Sequence, residues 1–165
     1  MSNYLSILPD LLILVLIYIF LYNQYLIKKD TSTNIRYSVL YLSFCLIFLI
    51  TLWPFVLSLP HLFISHIISY NLEPFVDWKY QYGNYISETL ENIILFIPFG
   101  FMLHFATKKR PSKIILYSLL LSLCIEVIQP LISEFRIGDI TDIINNTLGA
   151  AIGCLIAYLI IKKHN

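Results

Sequence analysis

Five stretches of mostly apolar residues divide this chain, and they constrain its fold more than any other feature. A helix needs roughly 20 apolar residues to cross the hydrocarbon core of a bilayer. The stretches lie at residues 5–27, 37–57, 89–106, 112–132 and 139–161. The chain is 58% hydrophobic and 13% charged, whereas soluble domains carry about 25% charged residues. The pattern predicts an all-α, polytopic bundle of five transmembrane helices in the cell membrane.

Basic residues alternate between the ends of successive stretches, which predicts the orientation of the bundle. Cytoplasmic loops carry an excess of lysine and arginine. If the N-terminus is outside and the C-terminus is cytoplasmic, only Lys79 and Arg136 of the 11 lysines and arginines stay outside. The cytoplasmic ones are then Lys28, Lys29, Arg36, Lys108, Lys109, Arg110, Lys113, Lys162 and Lys163.

The remaining composition narrows the class of protein. The formal net charge of +1 leaves no basic surface of the kind that nucleic acid needs, so we expect no nucleic-acid partner. We interpret the three cysteines, which lie in apolar stretches without a CxxC spacing, as small buried hydrophobic residues.

The stretches also predict how the chain is divided. Residues 1–36 would form the first transmembrane helix and its cytoplasmic loop, and residues 37–165 would form the main membrane domain. We expect membrane lipids as partners. No feature of the sequence indicates an oligomeric state.

The segment between the second and third stretches is too apolar for a plain loop. Residues 60–69 carry several large apolar side chains together with His61 and His66. This composition predicts an interfacial helix on the outer leaflet. The aromatic residues that follow are typical of a membrane–water interface. They are Trp78, Tyr80, Tyr82 and Tyr85.

Polar side chains form a stripe on each of the last three predicted helices. A helix advances about 100° per residue, so residues three, four or seven apart share a face. The stripes lie toward the extracytoplasmic ends, and a charge in hydrocarbon costs about 2.5–3.5 kcal/mol unless it is paired or hydrated. We therefore expect them to line one outward-facing pocket that binds a ligand. Its predicted residues are Asn92, Glu126, Gln129, Arg136, Asp139, Asp142 and Asn146.

Prolines and glycines mark the same helices. Pro98 and Pro130 cannot donate a backbone hydrogen bond, so each frees a carbonyl one turn earlier and should bend its helix. Pro130 would free the carbonyl of Glu126 toward the pocket, although a plain helix stop is an alternative. Gly149 and Gly153 have the GxxxG spacing that permits close approach of helices. We assign structural roles to Pro98, Gly100, Gly149 and Gly153.

Arg136 lies beside these acids, in the turn between the last two predicted helices. We expect an ion pair with Glu126, Asp139 or Asp142. A guanidinium also matches a carboxylate or phosphate of a ligand. The alternative is that the whole polar cluster only locks the helices together.

Four motifs between Asn71 and Gly153 resemble those of a known family. Asn71–Phe75 reads N-L-E-P-F, and Asn92–Gly100 reads N-I-I-L-F-I-P-F-G. Ser122–Gln129 carries S-x-x-x-E-x-x-Q, and Arg136–Gly153 carries R-x-x-D-x-x-D-x-x-x-N-x-x-G-x-x-x-G. By these motifs the chain resembles the VanZ-like membrane protein family, and residues 37–165 would be the VanZ-like domain.

The resemblance implies an envelope protein of Gram-positive-type bacteria. The founding member of the family confers low-level resistance to teicoplanin, a lipoglycopeptide that binds cell-wall precursors outside the membrane. We therefore expect a non-enzymatic protein without a cofactor that modulates glycopeptide susceptibility. Its pocket would bind a lipid-linked cell-wall precursor or a lipoglycopeptide, with Arg136 on an anionic group.

Other classes of function stay open. A membrane enzyme could act on a lipid-linked cell-wall precursor with Glu126 and Asp142 as an acid/base pair. Asp139 could join them as oxygen ligands of a divalent metal, but the chain has no HExxH, P-loop or GxSxG motif, and we expect no metal. A transporter or proton-coupled device is disfavoured, because no repeat is evident and the stripes occupy only one half of the membrane.

Overall fold

The structure, a computed structural model, describes residues 3–63 and 68–164. Five of its helices are long and apolar enough to cross a membrane. They cover Leu5–Leu26, Thr31–Leu52, Tyr85–Thr107, Pro111–Ile132 and Ile140–Lys163. The predicted all-α, polytopic membrane bundle is therefore confirmed.

The elements follow the apolar pattern, with short polar segments at both ends of the bundle. The first span is α1 (Leu8–Leu21), between a 3-10 turn (Asn3–Ile7) and a π-helical turn (Tyr22–Leu26). The others are α2 (Thr31–Leu52), α3 (Phe55–Ser58), a 3-10 turn (Leu59–Phe63), β1 (Tyr70–Asn71), α4 (Val76–Tyr80), α5 (Tyr85–Thr107), α6 (Pro111–Ile132), β2 (Gly138–Asp139) and α7 (Ile140–His164).

Only part of the predicted interfacial helix over residues 60–69 can be compared. The 3-10 turn Leu59–Phe63 covers its beginning. Residues 64–67, and His66 with them, lie outside the described residues. The two prolines of the sequence analysis lie inside continuous helices, Pro98 in α5 and Pro130 in the last turn of α6.

The centre of the bundle is the parallel pair α5 and α7, whose backbones touch. A methyl group on Gly149 would overlap the Ile93 carbonyl of α5, and one on Gly153 would overlap the Ile97 carbonyl. From the other side, a methyl group on Gly100 would overlap the backbone of Ala150. The GxxxG face of α7 therefore lies on α5, while α6 packs antiparallel beside α7 and α2 beside α5.

The apolar core fills the space between these four helices. Its buried members include Ile47 from α2, Phe96 from α5, Ile125 from α6 and Ala150 from α7. Helix α1 contributes no residue to this core. It lies at the edge of the bundle with most of its large apolar side chains exposed.

Side-chain hydrogen bonds attach α1 to its neighbours. Asp10, only 1% exposed, accepts from the backbone N–H groups of Phe55 (3.0 Å) and Val56 (2.8 Å) at the start of α3. Tyr41 on α2 donates to the Leu14 carbonyl at 2.6 Å. Asp10 was not among the predicted functional or structural residues, although an acid within an apolar stretch was a visible signal.

The bundle has two chemically different ends. We call the end that carries the connection of α1 to α2 and the lysine-rich connection of α5 to α6 (residues 108–110) the basic end. We call the opposite end, which carries α3, α4, β1 and β2, the acidic end.

Candidate functional site

A two-stranded parallel ladder joins distant motifs at the acidic end. Tyr70 pairs with Gly138 and Asn71 with Asp139, and the Gly138 N–H donates to the Ser69 carbonyl at 3.2 Å. Gly138 has to lack a side chain, because a methyl group there would overlap the Glu126 carbonyl and lie 2.7 Å from the Tyr70 ring. The ladder therefore places the N-L-E-P-F motif directly beside the start of α7.

Asp139 holds this junction together. One carboxylate oxygen accepts from the Thr141 N–H at 2.6 Å, as an N-cap of α7, and the other accepts from the Asn71 amide at 2.8 Å. The Asp139 N–H donates to the carboxylate of Glu126 at 3.0 Å. A carboxylate at a helix N-terminus also interacts favourably with the helix dipole. Asp139 therefore connects α6, α7 and β1.

The segment from Phe75 to Tyr85 closes over this junction. The Phe75 N–H donates to the Thr141 hydroxyl at 2.9 Å. The Trp78 indole N–H donates to the Thr89 hydroxyl on α5 at 2.9 Å, and its ring meets the Tyr85 ring edge to face at 5.0 Å. These contacts tie α4 to both central helices.

A cavity of ≈250 Å³ lies between α4, α5 and α7. Among the described residues, its walls include four carboxylates and three aromatic rings, but no lysine or arginine. Such walls favour a ligand that brings positive charge or hydrogen-bond donors, since aromatic faces also attract cations. The carboxylates are Asp77, Glu88, Asp139 and Asp142, and the rings are Phe75, Trp78 and Tyr85.

Two of the seven predicted pocket residues, Asp139 and Asp142, line this cavity. Asn92, one turn along α5 from Glu88, lies close enough to Asp142 for their side chains to interact. Asn146 lies deeper, 1% exposed, where its amide N–H donates to the Ser122 hydroxyl of α6 at 2.9 Å. An amide in that position links the two helices.

Arg136 bonds to backbone carbonyls instead of the predicted carboxylates. Its guanidinium donates to the backbone carbonyls of Thr51 and Trp53, the second at 3.1 Å, and Gln129 donates to the same Thr51 carbonyl at 3.0 Å. Among the described residues, the one ion pair joins Lys79 to Glu73, so the expected pairing with Glu126, Asp139 or Asp142 is wrong.

The end of α2 explains this choice of partner. The last carbonyls of a helix have no intrahelical donor and carry partial negative charge. Arg136 therefore finds acceptors there without an acid. Burial lowers the pKa of Arg136 from its ordinary value, while the nearby charge of Glu126 opposes that shift.

Glu126 also lies away from the cavity. It is 4% exposed, its carboxylate accepts the Asp139 N–H, and its carbonyl lies against Gly138. The acid/base pair of the enzyme hypothesis, Glu126 and Asp142, therefore does not share this cavity. Among the described residues, no group of three or more His, Cys, Asp or Glu is arranged to hold a metal ion.

Several cavity residues were missing from the predicted set. Asn71 belonged to a recognised motif and Glu88 shared a helix face with Asn92, so both had a visible signal. Asp77 and Thr141 had none, because only the fold of the segment before α5 brings them to the cavity.

Comparison with known proteins agrees with the family resemblance. The sequence model of the family described as VanZ/LLP1 matches residues 8–161 and so includes the first helix, which lay outside the four motifs. Protein VanZ from Enterococcus faecium is 38% identical over 128 residues, which cover 72% of this chain and 73% of that relative. No solved structure matches the chain. The chain therefore belongs to the VanZ/LLP1 family.

Proposed function

We propose that this protein modulates susceptibility to glycopeptides of the teicoplanin type by binding an amphiphilic ligand at the acidic end. Family membership supports the link to glycopeptides. The cavity supports binding, because it is a concave site with convergent polar groups. By the distribution of basic residues, this end faces outward, where lipid-linked cell-wall precursors are met.

The chemistry of the cavity walls suggests which part of the ligand enters. Four carboxylates without a lysine or arginine in the wall attract an amine or a hydroxyl-rich head group and repel an anion. We therefore no longer expect Arg136 to bind an anionic group of the ligand. The ligand is the amine- or hydroxyl-bearing head of a lipid-linked precursor or of the lipoglycopeptide itself.

This proposal rests on the carboxylate-lined cavity. It can be tested by comparing variants of Glu88 and Glu91, two acids on the same helix. Glu88 lines the cavity, whereas Glu91, on the same helix, is exposed and does not. Cells that express Glu88→Gln or Asp142→Asn should lose the change in teicoplanin susceptibility that the wild type produces relative to an empty vector. Glu91→Gln should behave as the wild type.

Membrane abundance has to be measured in the same cells by immunoblotting. Loss of effect at wild-type abundance supports the cavity as the site. Full effect in a Glu88→Gln/Asp142→Asn double variant would contradict it. Equal susceptibility of wild-type and empty-vector cells, across teicoplanin and its relatives, would end the glycopeptide proposal itself.

A further inference from the structure

A second and larger cavity, of ≈590 Å³, lies at the basic end between α1, α2 and α5. It is separate from the cavity of ≈250 Å³ at the acidic end, which we call the acidic cavity, and its properties do not depend on the proposed function. Its walls are mostly aliphatic and aromatic, with Phe99 and Leu103 from α5 on the inner side. The mouth carries Lys29, Thr33 and Tyr25.

The depth of this cavity matches a lipid acyl chain. Helix α5 ends at Thr107, so Leu103 and Phe99 lie about 6 and 12 Å below its end at 1.5 Å per residue. One leaflet of the hydrocarbon core is about 15 Å thick. The cavity therefore runs from head-group level toward the middle of the membrane.

The backbone at the mouth is unusual. The π-helical turn Tyr22–Leu26 ends α1 with a hydrogen bond from the Ile27 N–H to the Tyr22 carbonyl at 2.9 Å. Such turns are rare and often occur at functional sites. This one places Tyr25 and Leu26 in the cavity wall, and Tyr25 is 64% exposed.

Lys29 provides a positive charge at the mouth of this cavity. Among the described residues, no carboxylate forms an ion pair with it. The nearest acid in sequence, Asp30, is occupied as the N-cap of α2, since its two oxygens accept from the N–H (2.9 Å) and the hydroxyl (2.7 Å) of Thr33. These bonds lower the pKa of Asp30 and hold it there, and Asp30 does not line the cavity.

From the cavity between three helices, its depth and the cation at its mouth, we propose a binding site for an anionic phospholipid. One acyl chain occupies the cavity, and the phosphate lies against Lys29. Basic sites between transmembrane helices bind anionic head groups in this way. The cavity fits the chain and the charge selects the head group, so both parts of the lipid are recognised.

Native mass spectrometry of the detergent-solubilised protein tests this site. Phosphatidylglycerol should be retained more strongly than phosphatidylcholine of the same chains. Lys29→Gln should weaken phosphatidylglycerol binding about fivefold, the effect of roughly one lysine near a charged head group. Lys28→Gln is the matched control, because it removes the same charge from a residue that does not line the cavity.

A second pair of variants tests the acyl chain. Leu103→Trp fills the cavity and should abolish retention, whereas Leu90→Trp, at a position 51% exposed on the same helix, should not. Three results would overturn the proposal: equal retention of the two lipids, equal loss in Lys28→Gln and Lys29→Gln, or displacement of the lipid by soluble glycerol 3-phosphate. None of them would affect the proposed glycopeptide function.

Discussion

Two kinds of helix attachment coexist in this bundle. Helix α7 meets α5 backbone to backbone at Gly149 and Gly153, where no added atom fits. Helix α1 is attached instead by side chains that bond to backbone groups, chiefly Asp10 and Tyr41. The first attachment leaves no space, and the second leaves a cavity large enough for a lipid chain.

The two kinds of attachment correspond to two chemically different cavities. Glu88 and Asp142, which face the acidic cavity, are carried by the close-packed pair and are held in a fixed relation to each other. We call the cavity of ≈590 Å³ at the basic end, which we propose to hold an acyl chain, the lipid cavity. It lies beside α1, where the helices leave room for that chain. A polar site and an apolar site thus use opposite ends of α5.

Gly153→Ala should have the largest effect on this comparison. The added methyl group would overlap the Ile97 carbonyl, and backbone cannot move aside as a side chain can. We expect the free energy of unfolding to fall by about 3 kcal/mol, seen as a lower melting temperature in detergent. Val127→Ile adds a methyl group at a position that is 42% exposed and should change little. A wild-type melting temperature for Gly153→Ala would contradict the close contact.

Arg136→Gln should have the next largest effect. We expect the free energy of unfolding to fall by about 2–3 kcal/mol, because the Thr51 and Trp53 carbonyls at the end of α2 lose their guanidinium donors. The same thermal unfolding assay distinguishes this from the ion pair that the sequence suggested. Adding Glu126→Gln would restore stability if the two charges were mutual partners. Since Arg136 bonds to carbonyls instead, we expect the double variant to be less stable than either single one.

Asp10→Ala should lower the free energy of unfolding by about 1–2 kcal/mol, because the Phe55 and Val56 N–H groups lose their acceptor. Asp10→Asn keeps one acceptor oxygen and should fall between Asp10→Ala and the wild type in melting temperature. If alanine and asparagine variants both melt as the wild type does, α1 is attached in some other way.

Tyr41→Phe should have the smallest effect, about 1 kcal/mol or less, through loss of the bond to the Leu14 carbonyl. Tyr37 lines the same lipid cavity, and its hydroxyl has no hydrogen bond among the described residues. Tyr37→Phe is therefore the control, with an unchanged melting temperature. A larger loss in Tyr37→Phe than in Tyr41→Phe would show that the attachment has been assigned to the wrong tyrosine.

Predictability from the sequence varied with the range of the interaction concerned. The second span was predicted at residues 37–57 and lies at Thr31–Leu52, and the other spans were predicted within four residues at each end, because length and hydropathy are local properties. Of the predicted pocket residues, Asp139 and Asp142 line one cavity, and Asn92 interacts with Asp142. The predicted partner of Arg136 was wrong, because the sequence does not show which helix end the packed bundle brings next to Arg136.

Apolar runs, charges and motif order are properties of the chain alone, and they were sufficient to predict a membrane protein with five spans from a recognisable family. Which groups meet depended on the tertiary structure. It placed Asn71 on Asp139, covered the Glu126 carbonyl with Gly138 and directed Arg136 to the end of α2. These partners are chosen by buried donors and acceptors that must be satisfied, and their proximity exists only after the helices have packed.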